Sequence, residues 1–101
     1  MKLEIIQYMM PDGRKVPNSL TIPDELGEKV AKIKEAGYVF CCEMLQTGHV
    51  ALYVSDDVNG VDVGTEIAEN RECENKPVNA LIRMIKEFDF DEAKEMIQEL
   101  G

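Results

Sequence analysis

The strongest constraint sits mid-chain, where two apolar runs flank one tight-turn signal: Tyr38 to Leu45, then Thr47-Gly48, then His49 to Ser55. Val, Leu, Tyr and Phe dominate both runs and suit a pleated, half-buried surface. With a two-residue turn the numbers of paired residues sum to 95, so Cys42 faces Tyr53, Met44 faces Ala51 and Leu45 faces Val50. Alternation then puts Phe40, Cys42, Met44, Ala51 and Tyr53 on one face. Val39, Cys41, Leu45, Val50, Leu52 and Val54 take the other, with Glu43 as its only charge. Two apolar faces predict a central hairpin covered on each side, and an uncovered side would be an interface.

The rest of the chain supplies that cover. Lys2 to Met9 is β-prone, Pro11-Asp12-Gly13 has turn chemistry, and Arg14 to Ile22 is a second extended run. Pro17 marks that second run as an edge strand or a bulge, because it has no N–H to give a ladder. Pro23 opens a helix whose apolar stripe is Leu26, Val30 and Ile33; Asp24 and Glu25 suit its positive end and Gly37 caps its other end. Glu25 with Lys29, and Glu28 with Lys32, are i, i+4 pairs on its surface. After an Asp- and Asn-rich turn ending at Gly60, the alternation of Val61, Val63, Thr65 and Ile67 predicts a fifth strand weakened by Gly64. Asn70 to Lys76 reads as a polar loop, and Pro77 opens a second helix with Val78, Leu81, Ile82 and Ile85 on its stripe. Asp89 with Glu92 resembles a capping box for a third helix, stapled by Phe88 against Ala93, with Ile97 and Leu100 turned inward.

Residues 1–101 thus read as a single α+β domain in the order ββαβββαα. The expected sheet is five-stranded and mainly antiparallel, in order 2-1-3-4-5, with helices packed against it. A strand–helix–strand crossover sets the third strand parallel to the second and antiparallel to the first. From Pro23 to Phe88 the αβββα order is similar in outline to double-stranded-RNA-binding domains and to small antitoxin domains of that shape. The resemblance is one of element order. The Lys-rich start that such an RNA-binding domain has on its last helix is here Lys76-Pro77-Val78-Asn79-Ala80, so no residues carry over and no family is assigned.

Charge excludes more than it identifies. Twenty acidic against 11 basic side chains give −9, and a field of that sign repels phosphate backbones and anionic membranes. Residues 1–50 carry 7 acidic and 6 basic side chains, whereas residues 51–101 carry 13 and 5, so the excess belongs to the second half. On the third helix Asp91, Glu92, Glu95 and Glu99 form a candidate interaction face. Lys29, Lys32 and Lys34, with Arg14 and Lys15 on the first hairpin, form a weak basic patch diluted by Glu25, Glu28 and Glu35. No apolar run approaches the ~20 residues of a membrane span, and residues 1–10 do not read as a signal peptide. Three cysteines, an odd number, do not make a disulfide framework, which points to the cytoplasm.

No catalytic or cofactor-binding set assembles. His49, the one histidine, and Ser55 share a strand face but lie six residues apart, roughly 20 Å and far beyond hydrogen-bond reach. Cys41 and Cys42 are adjacent and point to opposite faces of their strand, and Cys73 lies between Glu72 and Glu74, whose charges disfavour a thiolate. Ser55 to Glu66 imitates a calcium loop through Asp57, Asn59, Asp62 and Glu66, with neutral Ser55 where a carboxylate belongs and no flanking helices. A β-turn accounts for Asp, Asn and Gly there, and Asp56, Asp57 and Asp62 offer at most an opportunistic cation contact. No metal or cofactor is therefore expected. The leading expectation is a non-enzymatic module that binds a protein partner, basic in character, or a second copy of itself. The alternative is a small enzyme or ligand-binding protein with a sheet-floor pocket at Phe40, Cys42, Met44 and Tyr53, and the third reading is a nucleic-acid-associated accessory protein.

Overall fold

A computed structural model describes residues 1–8, 15–44, 49–67 and 78–100. Strands β1 (Lys2–Tyr8) and β2 (Lys15–Thr21) pair antiparallel, with Ile6 opposite Pro17. A 3-10 turn, Asp24–Leu26, follows Pro23 and leads into α1 (Gly27–Glu35). Strands β3 (Tyr38–Met44), β4 (Val50–Asp56) and β5 (Asp62–Ile67) then precede α2 (Val78–Glu87) and α3 (Phe90–Leu100). The five strands form one sheet in the expected order β2-β1-β3-β4-β5, and Pro17 lies on an edge strand as its missing N–H demands.

One strand direction differs from expectation. β3 runs parallel to β1, so the sheet is mixed, with its other three pairings antiparallel. β2 ends where β1 begins, since the Ile22 amide donates to the Met1 carbonyl at 2.9 Å. α1 has 9 residues, about 14 Å, against about 23 Å for a seven-residue strand, too short to carry the chain back along the sheet. It crosses over β1 instead, and β3 starts at the end where β2 stopped. Gly37 turns the chain there at φ 93°, where a side chain would be strained.

The three helices among the described residues pack on one face of the sheet. Leu3 and Ile5 of β1, Leu20 of β2, Phe40 and Cys42 of β3, and Leu52 and Val54 of β4 meet Leu26, Val30 and Ile33 from the first helical segment. Ala80, Leu81, Met84 and Ile85 of α2 and Ala93 of α3 close the same cluster. Val78, Ile82 and Ile97 pack against it, as their stripes foretold; the Leu100 side chain lies outside the described residues. Lys29 donates to the Lys86 carbonyl at 2.8 Å, tying α1 to the negative end of α2. Glu28 and Lys32 pair at 3.8 Å as their spacing predicted. At the α2–α3 corner, Phe88 stacks edge-on against Tyr38 at 5.3 Å and Phe90 at 4.9 Å. The Asp89 carboxylate accepts the Asp91 and Glu92 amides at 2.9 and 3.1 Å and so caps α3.

The central hairpin is in a different register from the one a two-residue turn implies. Cys41 faces Tyr53, Cys42 faces Leu52 and Met44 faces Val50, so partners sum to 94 and an odd number of residues separates the strands. A one-residue slip exchanges faces. Tyr38, Phe40, Cys42, Leu52 and Val54 consequently lie under the helices, and Val39, Cys41, Glu43, Ala51, Tyr53 and Ser55 share the other face. Among the described residues no helix or strand covers that second face, contrary to the expectation of cover on both sides. Cys41 and Cys42 do point to opposite faces.

A bulge alters β5 as well. The pairing shifts between Val54 and Ser55, and Val63 is drawn toward the helices. Thr65 and Ile67 face the other way, opposite Tyr53 and Ala51. The simple alternation of Val61, Val63, Thr65 and Ile67 is broken at that point.

Candidate functional site

The helix-free face ends in an open cleft of about 370 Å³, lined by Val39, Cys41, Glu43, Tyr53, Ser55, Asp56, Asp57, Gly60 and Asp62. β3 and β4 supply its floor, and the turn after β4 with the start of β5 supplies its wall. The floor exists because the observed register brings Val39 and Cys41 beside Tyr53 and Ser55. Cys41 and Ala51 are buried although they lie on the helix-free face, being short side chains flanked by longer cross-strand neighbours.

The polar groups of the cleft are held in place locally. The Tyr53 hydroxyl donates to Glu43 Oε2 at 3.1 Å, and the Ser55 hydroxyl donates to Asp62 Oδ1. Asp56 is the one buried charged residue among those described. Its carboxylate accepts the Val58 amide at 3.3 Å, the Asn59 amide at 3.2 Å and the Asn59 side-chain amide at 2.6 Å. Its carbonyl accepts the Gly60 amide at 2.8 Å, and Gly60 adopts φ 70°. Asp56 therefore builds the turn, whereas Asp57 and Asp62 present their carboxylates to solvent. Burial, then the hydrogen bond to Glu43 and the charges of Glu43 and Asp62, push the Tyr53 hydroxyl above its ordinary range. Tyr53 is thus a neutral donor at physiological pH. On the opposite face burial and the Asp56 charge push Tyr38 the same way.

The residues singled out in the sequence fall in several places. Phe40 and Cys42 are packed beneath the helices and Tyr53 lies across the sheet from them, so the pocket drawn from Phe40, Cys42, Met44 and Tyr53 is divided by the sheet. The Met44 side chain lies outside the described residues. Of the calcium-like set, Asp57 and Asp62 border the cleft and Asn59 turns back onto Asp56. Glu66 pairs instead with Arg83 of α2 at 3.6 Å, and the strand pairing places it on the opposite face from Asp62. Among the described residues no group of three or more His, Cys, Asp or Glu side chains converges as a metal would require. His49 precedes β4 and Ser55 lies near its far end, as the spacing foretold. Asp91, Glu92, Glu95 and Glu99 are all exposed along α3.

A second, smaller groove of about 130 Å³ runs between β5 and the α2–α3 corner. Val63, Gly64, Thr65 and Glu66 line one side; Met84, Glu87, Phe88, Asp89 and Glu92 line the other. Arg14, Thr47-Gly48, Cys73 and Pro77 lie outside the described residues, as do the turn at Pro11 to Gly13 and the side chain of Lys15.

Val39, Cys41, Glu43 and Ser55 are cleft residues that a sequence reading does not find. The signal that would have found them is a register with an odd-length connection, to which residue types in the turn are blind. Among the described residues no helix is long and apolar enough to cross a membrane. No protein-family model, curated protein or solved structure matches this chain.

Proposed function

We propose that the protein is a non-enzymatic interaction module that receives a basic segment of a protein partner on the helix-free face of its sheet, in the cytoplasm. One observation carries the reading: the cleft combines an apolar floor with acidic groups, and among the described residues none that lines it is Lys or Arg. Val39, Cys41 and the Tyr53 ring suit the methylene stem of a lysine or arginine, and Glu43, Asp57 and Asp62 suit its charged head. An aromatic ring beside carboxylates is a favourable setting for a guanidinium. A partner of that charge includes proteins that themselves bind nucleic acid, which leaves room for an accessory role without direct contact to phosphate. A homodimer through this face is less well supported, since it would set Glu43 and Asp62 of one copy against those of the other.

The test is capture of partners from the native source with wild-type protein, Tyr53→Ala and Glu43→Gln side by side, with recovered proteins identified by mass. The expected result is a basic partner retained by wild type, lost with Tyr53→Ala, weakened with Glu43→Gln and released as salt rises. A partner set unchanged by both variants would overturn the proposal. A second reading, a small organic cation in the same cleft, draws support from a volume within the usual range of ligand sites. It predicts a heat of binding for free alkylguanidines or polyamines that Tyr53→Ala abolishes.

A further inference from the structure

β5 ends the sheet. Among the described residues it pairs with β4 alone, and no strand meets its other edge. Alternate N–H and C=O groups on that side have no ladder partner among those residues, and such an edge is a template for another strand. Natural sheets commonly guard it with proline or lysine. β2, the opposite edge, carries Pro17; β5 has neither residue from Asp62 to Ile67.

The groove beside β5 has an informative lining. It touches Val63, Gly64, Thr65 and Glu66, four consecutive residues. Val63, turned in by the bulge, and Gly64 and Glu66, opposite Val54 and Leu52, stand on the helix side of β5, so the groove opens between that side of the last strand and the α2–α3 corner, next to the sheet's edge. Its far wall is apolar at the base, where Met84 and Phe88 are buried, and acidic at the rim, where Glu87, Asp89 and Glu92 are exposed. Asp89 is engaged in capping α3 and Glu66 in the pair with Arg83, which leaves Glu87 and Glu92 to face an incoming chain.

Gly64 sits at the centre of this edge, and neither backbone nor packing calls for glycine there. Its φ is not positive, and an added methyl would meet Val54 Cβ at 3.8 Å and Met84 Cγ at 3.9 Å, ordinary contacts. What the absent side chain does provide is room for about one methyl group on the groove side; Gly64 adjoins the β4–β5 bulge, and a glycine in a strand marks a bulge or the close approach of another backbone.

We propose that the β5 edge and its groove are a strand-addition site for an extended, basic segment of a protein partner. The partner's backbone continues the sheet beyond β5, one side chain of the added strand enters the groove alongside Gly64 and Met84, and its Lys or Arg residues meet Glu87 and Glu92. A second copy of β5 is a poor occupant, because two such edges would bring Glu66, Glu87 and Glu92 of both copies together. The site is separate from the cleft on the helix-free face and does not depend on it.

The experiment uses the full chain and fluorescence polarisation at low salt with three labelled peptides. The first alternates lysine and valine, the second is the same peptide N-methylated at every second residue, and the third alternates glutamate and valine. The first binds and slows amide exchange in Val63 to Ile67; the other two do not bind. Gly64→Ala and the pair Glu87→Gln with Glu92→Gln each weaken binding about tenfold, while the melting temperature of Gly64→Ala stays at or above that of wild type. Tyr53→Ala leaves this binding unchanged. The proposal is overturned if the Lys-Val peptide fails to bind, if the N-methylated peptide binds equally well, or if neither groove variant matters. Loss with Tyr53→Ala alone would place the peptide in the cleft instead, and would overturn this site while supporting the other.

Discussion

The two faces of the β3–β4 hairpin are built from neighbouring residues and share one backbone, yet they are opposite surfaces. Toward the helices stand Phe40, Cys42, Leu52 and Val54, all buried, with Leu52 and Val54 at 0% exposure. Away from them stand Val39, Glu43, Tyr53 and Ser55, partly or fully exposed, around the small buried pair Cys41 and Ala51. The helix side holds large branched and aromatic side chains that need cover. Among the described residues no helix covers the other side, where the central Cys41 and Ala51 are small and Glu43, Tyr53 and Ser55 have polar ends. A strand pair rich in apolar residues therefore does not reveal how many of its faces are covered. Which residues share a face does, and register decides that.

The largest effect expected from this contrast is in stability. Leu52→Ala should cost ~3 kcal/mol in chemical denaturation, since it opens a cavity under α2. Tyr53→Ala, one residue along, should cost ~1 kcal/mol or less. Equal losses would mean that both faces are covered, and the contrast would collapse.

The turn that closes the cleft comes next. Asp56→Ala removes the acceptor for three donors and should cost ~2 kcal/mol, against ~0.5 kcal/mol or less for exposed Asp57→Ala. Comparable values for the two would show that Asp56 does not hold the turn.

Tyrosine ionisation sharpens the contrast further. Both Tyr38 and Tyr53 are raised above the ordinary phenol, in each case first by burial. A raised folded value favours the neutral form in the native state. The associated stability is thus fully present below the unfolded value, about 10, and is lost as pH rises through the folded values. In an ultraviolet pH titration, Glu43→Gln should bring Tyr53 part of the way down and leave Tyr38 where it was, with Tyr53→Phe assigning the two transitions. Movement of both tyrosines together would contradict their separation by the sheet. The smallest effect is Ser55→Ala, within ~0.5 kcal/mol, because its partner Asp62 is solvated. A larger loss would show the Ser55–Asp62 bond to be shielded from water.

Much of the fold is legible in local patterns. The stripe of Leu26, Val30 and Ile33, the glycine stop at Gly37, the Asp89 cap and the edge-marking Pro17 each act over a few residues, so their types suffice to place them. The register of β3 with β4 does not act over a few residues. Thr47-Gly48 suits a two-residue turn, but pairing of Cys42 with Leu52 puts Tyr38, Phe40, Leu52 and Val54 together under the helices, and that gain outweighs any local turn preference. Val63 escaped the same way: its alternation is sound locally, and the bulge opposite Val54 and Ser55 turns it against the edge of the core. The cleft inherits its composition from these two non-local choices, so its floor of Val39, Cys41 and Tyr53 could not be read in advance.

By itself the sequence determined the element types, the strand order 2-1-3-4-5, the edge position of β2 and the acidity of its second half. These follow from periodicity, proline and glycine stereochemistry and charge, all properties of short segments. Only the tertiary structure decided that β3 runs parallel to β1, that the described helices all lie on one sheet face, and that β5 borders a groove. Those outcomes depend on how far α1 can reach and on which register buries the most apolar surface, and such sums run over residues distant in the chain.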